Sequence, residues 1–373
     1  MKTYSGLYER MIQPENIQEA IKEAAKDKGS RKAVQRVMNN LPEYIEKTRQ
    51  MLLDFSYVPK IYAEQNIREG SKRKKRKISK QPFWPDQVIH SCVLGQLTPI
   101  LMNSIYEYAH GSLKERGTDQ SKEAIERWIQ NDPKNTKYCL QMDIHHCYPS
   151  IEQEILVQLF RNIIHDYRFN RVNEIIIHTS PEGLIMGAKP SFIYLHFLLS
   201  ELDHKISEMP GAKHFLRHAD DFIILGSSKR ELRKIQNFVI DYIREERNMQ
   251  INPNYSIFPI EYVGKDGKKH GRPLDTCGYL FYRDRTILRE AKALSITRKA
   301  KKISKKQRMT RYDAQQMMSR FGWLRQARTY HMYLERVKPY VRKKQLRKIL
   351  SKYGRQQNAR MEVSGECRKT ESG

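Results

Sequence analysis

A chain of 373 residues with 69 Lys and Arg against 42 Asp and Glu has a net charge of +27 and a pI near 9.8. At 39% hydrophobic and 30% charged residues it can bury a sizeable core, in two or three domains or one multi-lobed body. The positive excess points to a polyanionic partner, nucleic acid before a membrane surface. The sequence has no apolar run of about 18 residues, and MKTYSGLYERM lacks a signal-peptide core, so a cytoplasmic protein with no membrane partner is expected. Cys92, Cys139, Cys147, Cys277 and Cys367 form no CxxC pair and read as reduced and structural, without a disulfide framework or zinc site.

In chain order, residues 1–55 carry apolar positions at helical spacing and read as an N-terminal helical extension. Eight of the thirteen residues from Arg68 to Lys80 are Lys or Arg. They read either as a solvated loop or, because PFWPDQVIHSCVLGQL follows at once, as a segment anchored to a folded element. A helical pattern runs from about 88 to 130, broken by HGSLKERGT, and YCLQMDIH (138–145) reads as a buried strand. Ser150 with Gln153 fits a capping box ahead of a helix bearing Ile155, Leu156, Leu159, Phe160 and Ile163. EGLIMGAKPSFIYLHFLLSELDHKI reads as a turn feeding an apolar helix, FLRHADDFIILG as a hairpin, and SKRELRKIQNFVIDYIREERNM as an amphipathic helix. Past residue 275 a second basic run, 298–308, precedes a helical stretch with interleaved aromatics, and residues 351–373 read as a disordered tail.

The chemistry rests on three acids. Asp220 and Asp221 separate two apolar runs, and Asp143 ends an apolar strand. An Asp-bearing turn and an Asp at a strand end are each ordinary. If the strands lie side by side, however, Asp143 and Asp220 converge at one sheet edge. Carboxylates that close raise each other's pKa unless a cation joins them. Two Mg²⁺ ions about 3.5–4 Å apart, with Mn²⁺ as a substitute, would resolve the conflict and suit in-line phosphoryl transfer.

The ordered set DIHHCYPSI, GLIMGAKPS, RHADDFIIL and LDTCGYLFY resembles motifs A, B, C and E of a reverse transcriptase palm. KRKKRKI and HGSLKERGT resemble its fingers motifs. FGWLRQARTYHMYLERVKPY resembles the thumb of bacterial enzymes from diversity-generating retroelements and their group II intron relatives. The resemblance covers about residues 60–345 and implies an α+β right-hand polymerase. Its fingers would span 56–135, its palm with a small antiparallel sheet 136–285 and its helical thumb 286–350. It implies that Asp143 and Asp220 are metal ligands, that Asp221 supports them, and that the Ile144 carbonyl completes one metal's shell. Tyr148 falls at the steric-gate position, where a ring would crowd a ribose 2′-hydroxyl and select dNTPs; a core aromatic beside Pro149 is the other reading. Gly187 and Ser191 match the turn on which the nucleotide rests. Lys74 and Arg76 match triphosphate clamps. Arg116 matches a loop near the nucleotide, with helix capping as the alternative. Gly278 lies in the turn that grips the primer. Trp323, Arg325 and Arg328 suit a surface tracking the template–primer duplex, a helical-bundle core being the other reading for Trp323.

The sequence departs from the family at His218, where Tyr is usual before the paired acids; His can contact the primer terminus and titrate. Phe192 follows Ser191 where Gln is common, His196 stands where Asn is frequent, Leu113 replaces a basic residue, and MQINPNYSIF lacks the general-acid Lys of motif D. The resemblance implies RNA-directed DNA synthesis from an RNA template and a DNA or RNA primer, in a diversity-generating retroelement. The alternatives are an antiphage defence enzyme using a dedicated noncoding RNA or untemplated synthesis, with a small accessory protein as a further partner, and a non-catalytic RNA-binding protein with a degenerate palm.

Overall fold

A computed structural model of the chain describes residues 3–60, 63–69 and 74–352, with only the backbone described between 63 and 78. The described residues fall into two compact units that meet in sequence between Ile260 and Glu261, inside the stretch expected to be palm.

The first unit opens with four helices, α1 (Leu7–Met11), α2 (Pro14–Ala25), α3 (Lys32–Asn39) and α4 (Leu41–Leu53). In α2, Pro14 sits in the first turn, where its missing N–H costs nothing, and Ile17, Ala20, Ile21 and Ala24 make one buried face. This extension shares its hydrophobic core with the rest of the unit. The described part of the basic run lies on an antiparallel pair, β1 (Ala63–Glu69) with β2 (Lys74–Lys80). Next comes α5 (Val88–Leu101), whose residues from Val88 to Leu94 are all buried, as expected of a helix apolar on every side.

The five-stranded sheet that follows has the order β3 (Ala109–His110), β5 (His214–His218), β6 (Asp221–Gly226), β4 (Tyr138–Asp143), β7 (Ser256–Pro259). Only β3 and β5 run parallel; the remaining pairs are antiparallel. Leu140, Met142, Phe215, Phe222 and Ile224 put one face of the sheet into the main core. The helices between the strands are α6 (Thr118–Asn131), α7 (Gln153–Ile163), α8 (Tyr167–Ile177), α9 (Lys189–Glu208) and α10 (Lys229–Arg247). The last starts where the Ser228 hydroxyl accepts the Glu231 amide and stops at Asn248, whose φ of 51° is left-handed.

The expected Ser150–Gln153 capping box does not form. Helix α7 has Glu152 at its N-cap, and the Ser150 hydroxyl instead donates to the carbonyls of His145, His146 and Cys147. That turn consumes the serine before the helix begins. Gln153 reaches back to another loop: its Nε2 donates to the carbonyls of Gly183 at 2.7 Å and Ser180 at 2.9 Å. The loop 180–188 is thereby tied to the segment after Asp143, and the Leu184 amide donates to the Tyr148 carbonyl at 2.8 Å.

The second unit, described by itself, contains the short pair β8 (Tyr262–Val263) and β9 (Lys269–His270). It also has a three-stranded antiparallel sheet of β10 (Leu274–Thr276), β11 (Tyr279–Phe281) and β12 (Thr286–Leu288). Helices α11 (Glu290–Ser304), α12 (Arg311–Arg325) and α13 (Tyr330–Arg336) follow. Asp313, buried, accepts from Lys299, Lys306 and the Thr310 hydroxyl, which hold its carboxyl well below the usual range and join α11 to α12. The expected tail lies outside the described residues from 353 onward.

Gly183 has φ of 57°, and a Cβ there would stand 2.2 Å from the Tyr148 carbonyl oxygen. Both backbone strain and overlap oppose a side chain. Gly183→Ala is expected to lower unfolding free energy by about 2 kcal/mol or more, read by urea denaturation. An unchanged midpoint would contradict this contact between the loop and Tyr148.

Candidate functional site

The turn between β5 and β6 is two residues long, Ala219 and Asp220, and Ala219 takes φ of 56°. Two-residue hairpin turns need positive φ, and alanine adopts it at a cost of about 1–2 kcal/mol. The surroundings hold it there. The Ala219 amide donates to the His110 carbonyl at 2.8 Å, and the Ala219 carbonyl accepts from Arg217 Nη1 at 2.6 Å. Gly111, at φ of 110°, packs so closely that a Cβ would lie 3.0 Å from the Ala219 nitrogen.

Directly opposed residues of antiparallel strands project from the same face. Asp221 is the register partner of Asp143 on β4 and of His218 on β5, so Asp143, Asp221 and His218 form a row across three strands. Asp220 sits beside them in the turn, its carbonyl accepting the Ile144 amide at 3.3 Å. On the other edge, Asn252 donates its amide to the Asp143 carbonyl at 2.8 Å and its Nδ2 to Asp143 Oδ2 at 3.2 Å, and His145 donates to Gln250. Ile144, between them, therefore turns its own amide and carbonyl toward Asp220.

Behind the turn lies a buried polar network. Arg217 has no solvent exposure and donates through Nε and Nη2 to both carboxylate oxygens of Asp203, at 2.7 and 2.5 Å, on α9. Burial pushes the Asp203 carboxyl up, against the pull of the guanidinium. Arg217 Nη2 also meets His196 Nδ1 at 3.4 Å, and His196 Nε2 contacts the Gly111 carbonyl at 2.7 Å. A carbonyl only accepts, so Nε2 carries the proton and Nδ1 is bare. Burial, then Arg217, holds His196 neutral with its pKa down to about 3. Ser121 Oγ bridges His218 Nδ1 at 2.9 Å and His110 Nδ1 at 3.0 Å. Burial, then Arg217, pushes His218 down; burial, then His218, pushes His110 down to about 4. His218 is thus engaged from behind, and its surroundings favour the uncharged ring. Burial, then the Asp220 charge, pushes the Cys147 thiol well up.

The structure brings Asp143, Ile144, Asp220, Asp221 and His218 together. Tyr148, 7% exposed, packs edge-on against Phe192 with centroids 5.9 Å apart, so the segment after Asp143 meets the start of α9. Ser191 is buried in the first turn of α9, and Gly187, exposed at φ of 100°, precedes that helix. Arg116 Nη1 donates to the Tyr106 carbonyl at 2.9 Å, and the helix start is capped by Gln120, which accepts the Gly117 amide. Leu113 is buried. The side chains of Lys74 and Arg76 lie outside the described residues.

In the second unit, Gly278 at φ of 83° lies against Trp323, where a Cβ would stand 3.0 Å from the ring. Trp323 packs on Tyr279 and carries Lys292 Nζ 4.0 Å from its centroid, so the Gly278 turn and α12 share one small core. Arg325 and Arg328 are exposed and line a cleft of about 730 Å³ with Tyr330 and Lys343. Sequence reasoning passed over Arg217, Asp203, Ser121 and Asn252. An Arg inside an apolar strand and an Asp inside an apolar helix were the available signals, because buried charges come in pairs.

The three acids and the Ile144 carbonyl offer only oxygen donors, which suit a hard divalent cation over zinc or copper. The backbone brings these donors together, while among the described residues no three His, Cys, Asp or Glu side chains converge on one metal position. The fit is therefore one of donor chemistry and backbone placement.

A small antiparallel sheet flanked by helices, with acids at the ends of its two central strands, defines a polymerase palm. The family model described as reverse transcriptase (RNA-dependent DNA polymerase) matches residues 67–264, just over half of the chain, and the protein belongs to that family. No curated protein is significantly similar in sequence. Among solved structures, apo telomerase from Candida tropicalis truncated from its C-terminal domain is similar at 14% identity and a TM-score of 0.43, over 62% of this chain and 54% of that one. A second structure of apo telomerase from that organism is similar at 12% identity and a TM-score of 0.44, over 76% and 57%. Telomerase from Candida albicans with a fragment of telomeric RNA gives 11% and 0.41, over 80% and 58%. The chain spans a little over half the length of these structures. Among the described residues no helix is long and apolar enough to cross a membrane.

The buried histidines make stability depend on pH. His90 and His110 are pushed down to about 4 and His196 to about 3, chiefly by burial. All three are neutral when folded, whereas the unfolded chain protonates them near the ordinary 6.5. Their contribution is fully present above about pH 6.5 and is lost as pH falls from there through the folded values, at about 1.4 kcal/mol per pH unit for each histidine. Tm measured from pH 8 to 5 is expected to be level at first and then to fall; a Tm that rises toward pH 5 would contradict neutral burial.

Proposed function

We propose that this protein is an RNA-directed DNA polymerase that extends a primer with dNTPs at the Asp143–Asp220–Asp221 cluster. The observation that carries the reading is the register: Asp143 faces Asp221 across β4 and β6, and Asp220 occupies the adjoining turn. Asp143, Asp220 and the Ile144 carbonyl would hold divalent cations, Mg²⁺ or Mn²⁺ in its place, with Asp221 in support. When bound, such ions supply Lewis acidity at a primer 3′-hydroxyl and neutralise charge on a triphosphate and its leaving pyrophosphate. Asn252 orients Asp143 by donating to Oδ2. Gly187 and Ser191 support the nucleotide, and Tyr148 limits space at its ribose. Lys74 and Arg76 clamp the triphosphate. Arg116, bound to the Tyr106 carbonyl, braces the loop beside the site. Gly278 in the palm (136–285) and Trp323, Arg325 and Arg328 in a thumb (286–350) serve the primer–template duplex, with fingers over 56–135. The net charge of +27 supports an RNA partner.

The motifs and the thumb resemblance favour a diversity-generating retroelement as the setting. Sequencing the RNA that copurifies with the protein separates this from defence: a repeat matching a variable target gene supports the first, a structured noncoding RNA the second.

Primer extension on an RNA template with dNTPs and Mg²⁺ should proceed in the wild type. Asp220→Asn should reduce it by about 100-fold or more, because a carboxylate that holds charge in the transition state is lost. Asp221→Asn should cost less. Equal rates in all three proteins would end the metal-ligand reading. Tyr148→Val should raise rNTP use relative to dNTP use by about tenfold or more, and unchanged selectivity would remove Tyr148 from the gate role.

A further inference from the structure

Arg217 touches none of the acids' side chains in the contacts described above, yet it bonds the residue that sets their direction. We infer that Arg217, with Asp203 and His196, is a positioning device that fixes the left-handed Ala219 and so aims Asp220 and Asp221 at Asp143. Its consequence for catalysis rests on the proposed function; its structural part does not.

A buried ion pair need not have this role. If Arg217 and Asp203 served only to fill the core, apolar residues of similar volume would do as well or better. The third donation is what singles the pair out. Nε and Nη2 satisfy Asp203, and Nη1 is left to donate to the Ala219 carbonyl at 2.6 Å. Ala219 is the one non-glycine residue of positive φ in this hairpin, and it immediately precedes Asp220. The planar guanidinium serves two acceptors in fixed directions, which a lysine ammonium on a flexible stem does not reproduce.

The remaining sides of the turn are held by the same network. His196 takes Arg217 Nη2 at Nδ1 and fixes the Gly111 carbonyl through Nε2, and Gly111 packs on the Ala219 nitrogen. The neighbouring His110 carbonyl accepts the Ala219 amide. Both ends of the Ala219 residue are therefore tied to buried residues, His110 and Arg217. His196 and Asp203 lie seven residues apart on α9, two turns along one helix face, so a single rigid helix presents both.

The test uses Arg217→Met/Asp203→Leu, which removes both charges while keeping volume, alongside Arg217→Lys, which keeps the charge and loses the fork. Hydrogen–deuterium exchange is followed in the peptide spanning 215–223, Mn²⁺ binding by calorimetry, and primer extension as kcat and dNTP KM. Both variants are expected to fold, with turn amides exchanging about tenfold faster or more and Mn²⁺ binding weakened. kcat should fall while KM changes little, because nucleotide contacts remain. Wild-type exchange and Mn²⁺ affinity in whichever variant folds would overturn the inference, and so would collapse of both, which would make the network a requirement of folding alone. If the wild type fails to polymerise while exchange responds as expected, the proposed function falls and the positioning role stands.

Discussion

A guanidinium sealed from water governs the arrangement of this protein's acidic hairpin. Arg217 lies in a strand that otherwise buries Phe215 and Leu216, and its desolvation is tolerable only because Asp203 meets it with both carboxylate oxygens. That requirement propagates outward. Asp203 must arrive from α9 in the right rotation, so α9 must be long, apolar and packed on α5, which is itself buried through its first two turns. The N-terminal helices α1 and α2 cover α5 in turn. An extension that carries none of the acids thus belongs to the same core as the hairpin that carries two of them.

Several features were legible in the sequence because they depend on local pattern. The hairpin around Asp220 and Asp221 and the strand ending at Asp143 follow from apolar runs stopped by polar residues, and α10 from helical spacing with a serine cap. The register between Asp143 and Asp221 was not legible, since it is set by pairing between segments far apart in the chain. The same holds for Ser150 and Gln153: their spacing satisfies a capping box, yet the serine is consumed by the preceding turn and the glutamine by the loop at Gly183. Propensity reads what a residue can do locally and is overridden when a distant carbonyl offers a better partner. Arg217, His196 and Asp203 were visible as polar residues on apolar elements, a pattern that signals a buried network without naming its members.

His218 shows how a substitution can change a residue's role while leaving its position intact. Its imidazole hydrogen-bonds backward, to Ser121 on α6 and through it to His110. Burial and Arg217 both disfavour its charged form. The row across the three strands consists of two carboxylates and one imidazole ring.

This bears on the apparent conflict between a net charge of +27 and an acidic centre. The long-range field of such a protein gathers polyanions and repels cations, but at physiological salt it decays over about 8 Å. A divalent ion joining the acids would therefore not be drawn in by the protein as a whole; it would have to be won by carboxylates acting at contact distance, where screening by salt is ineffective. The closer and more rigid the carboxylates, the larger that local attraction, and the greater their mutual repulsion when nothing is bound. A flexible hairpin would relax the repulsion by letting Asp220 swing away and would lose affinity in doing so. Holding Ala219 in a strained conformation from behind prevents that relaxation, so the strain in the turn and the attraction for a cation are two sides of one constraint.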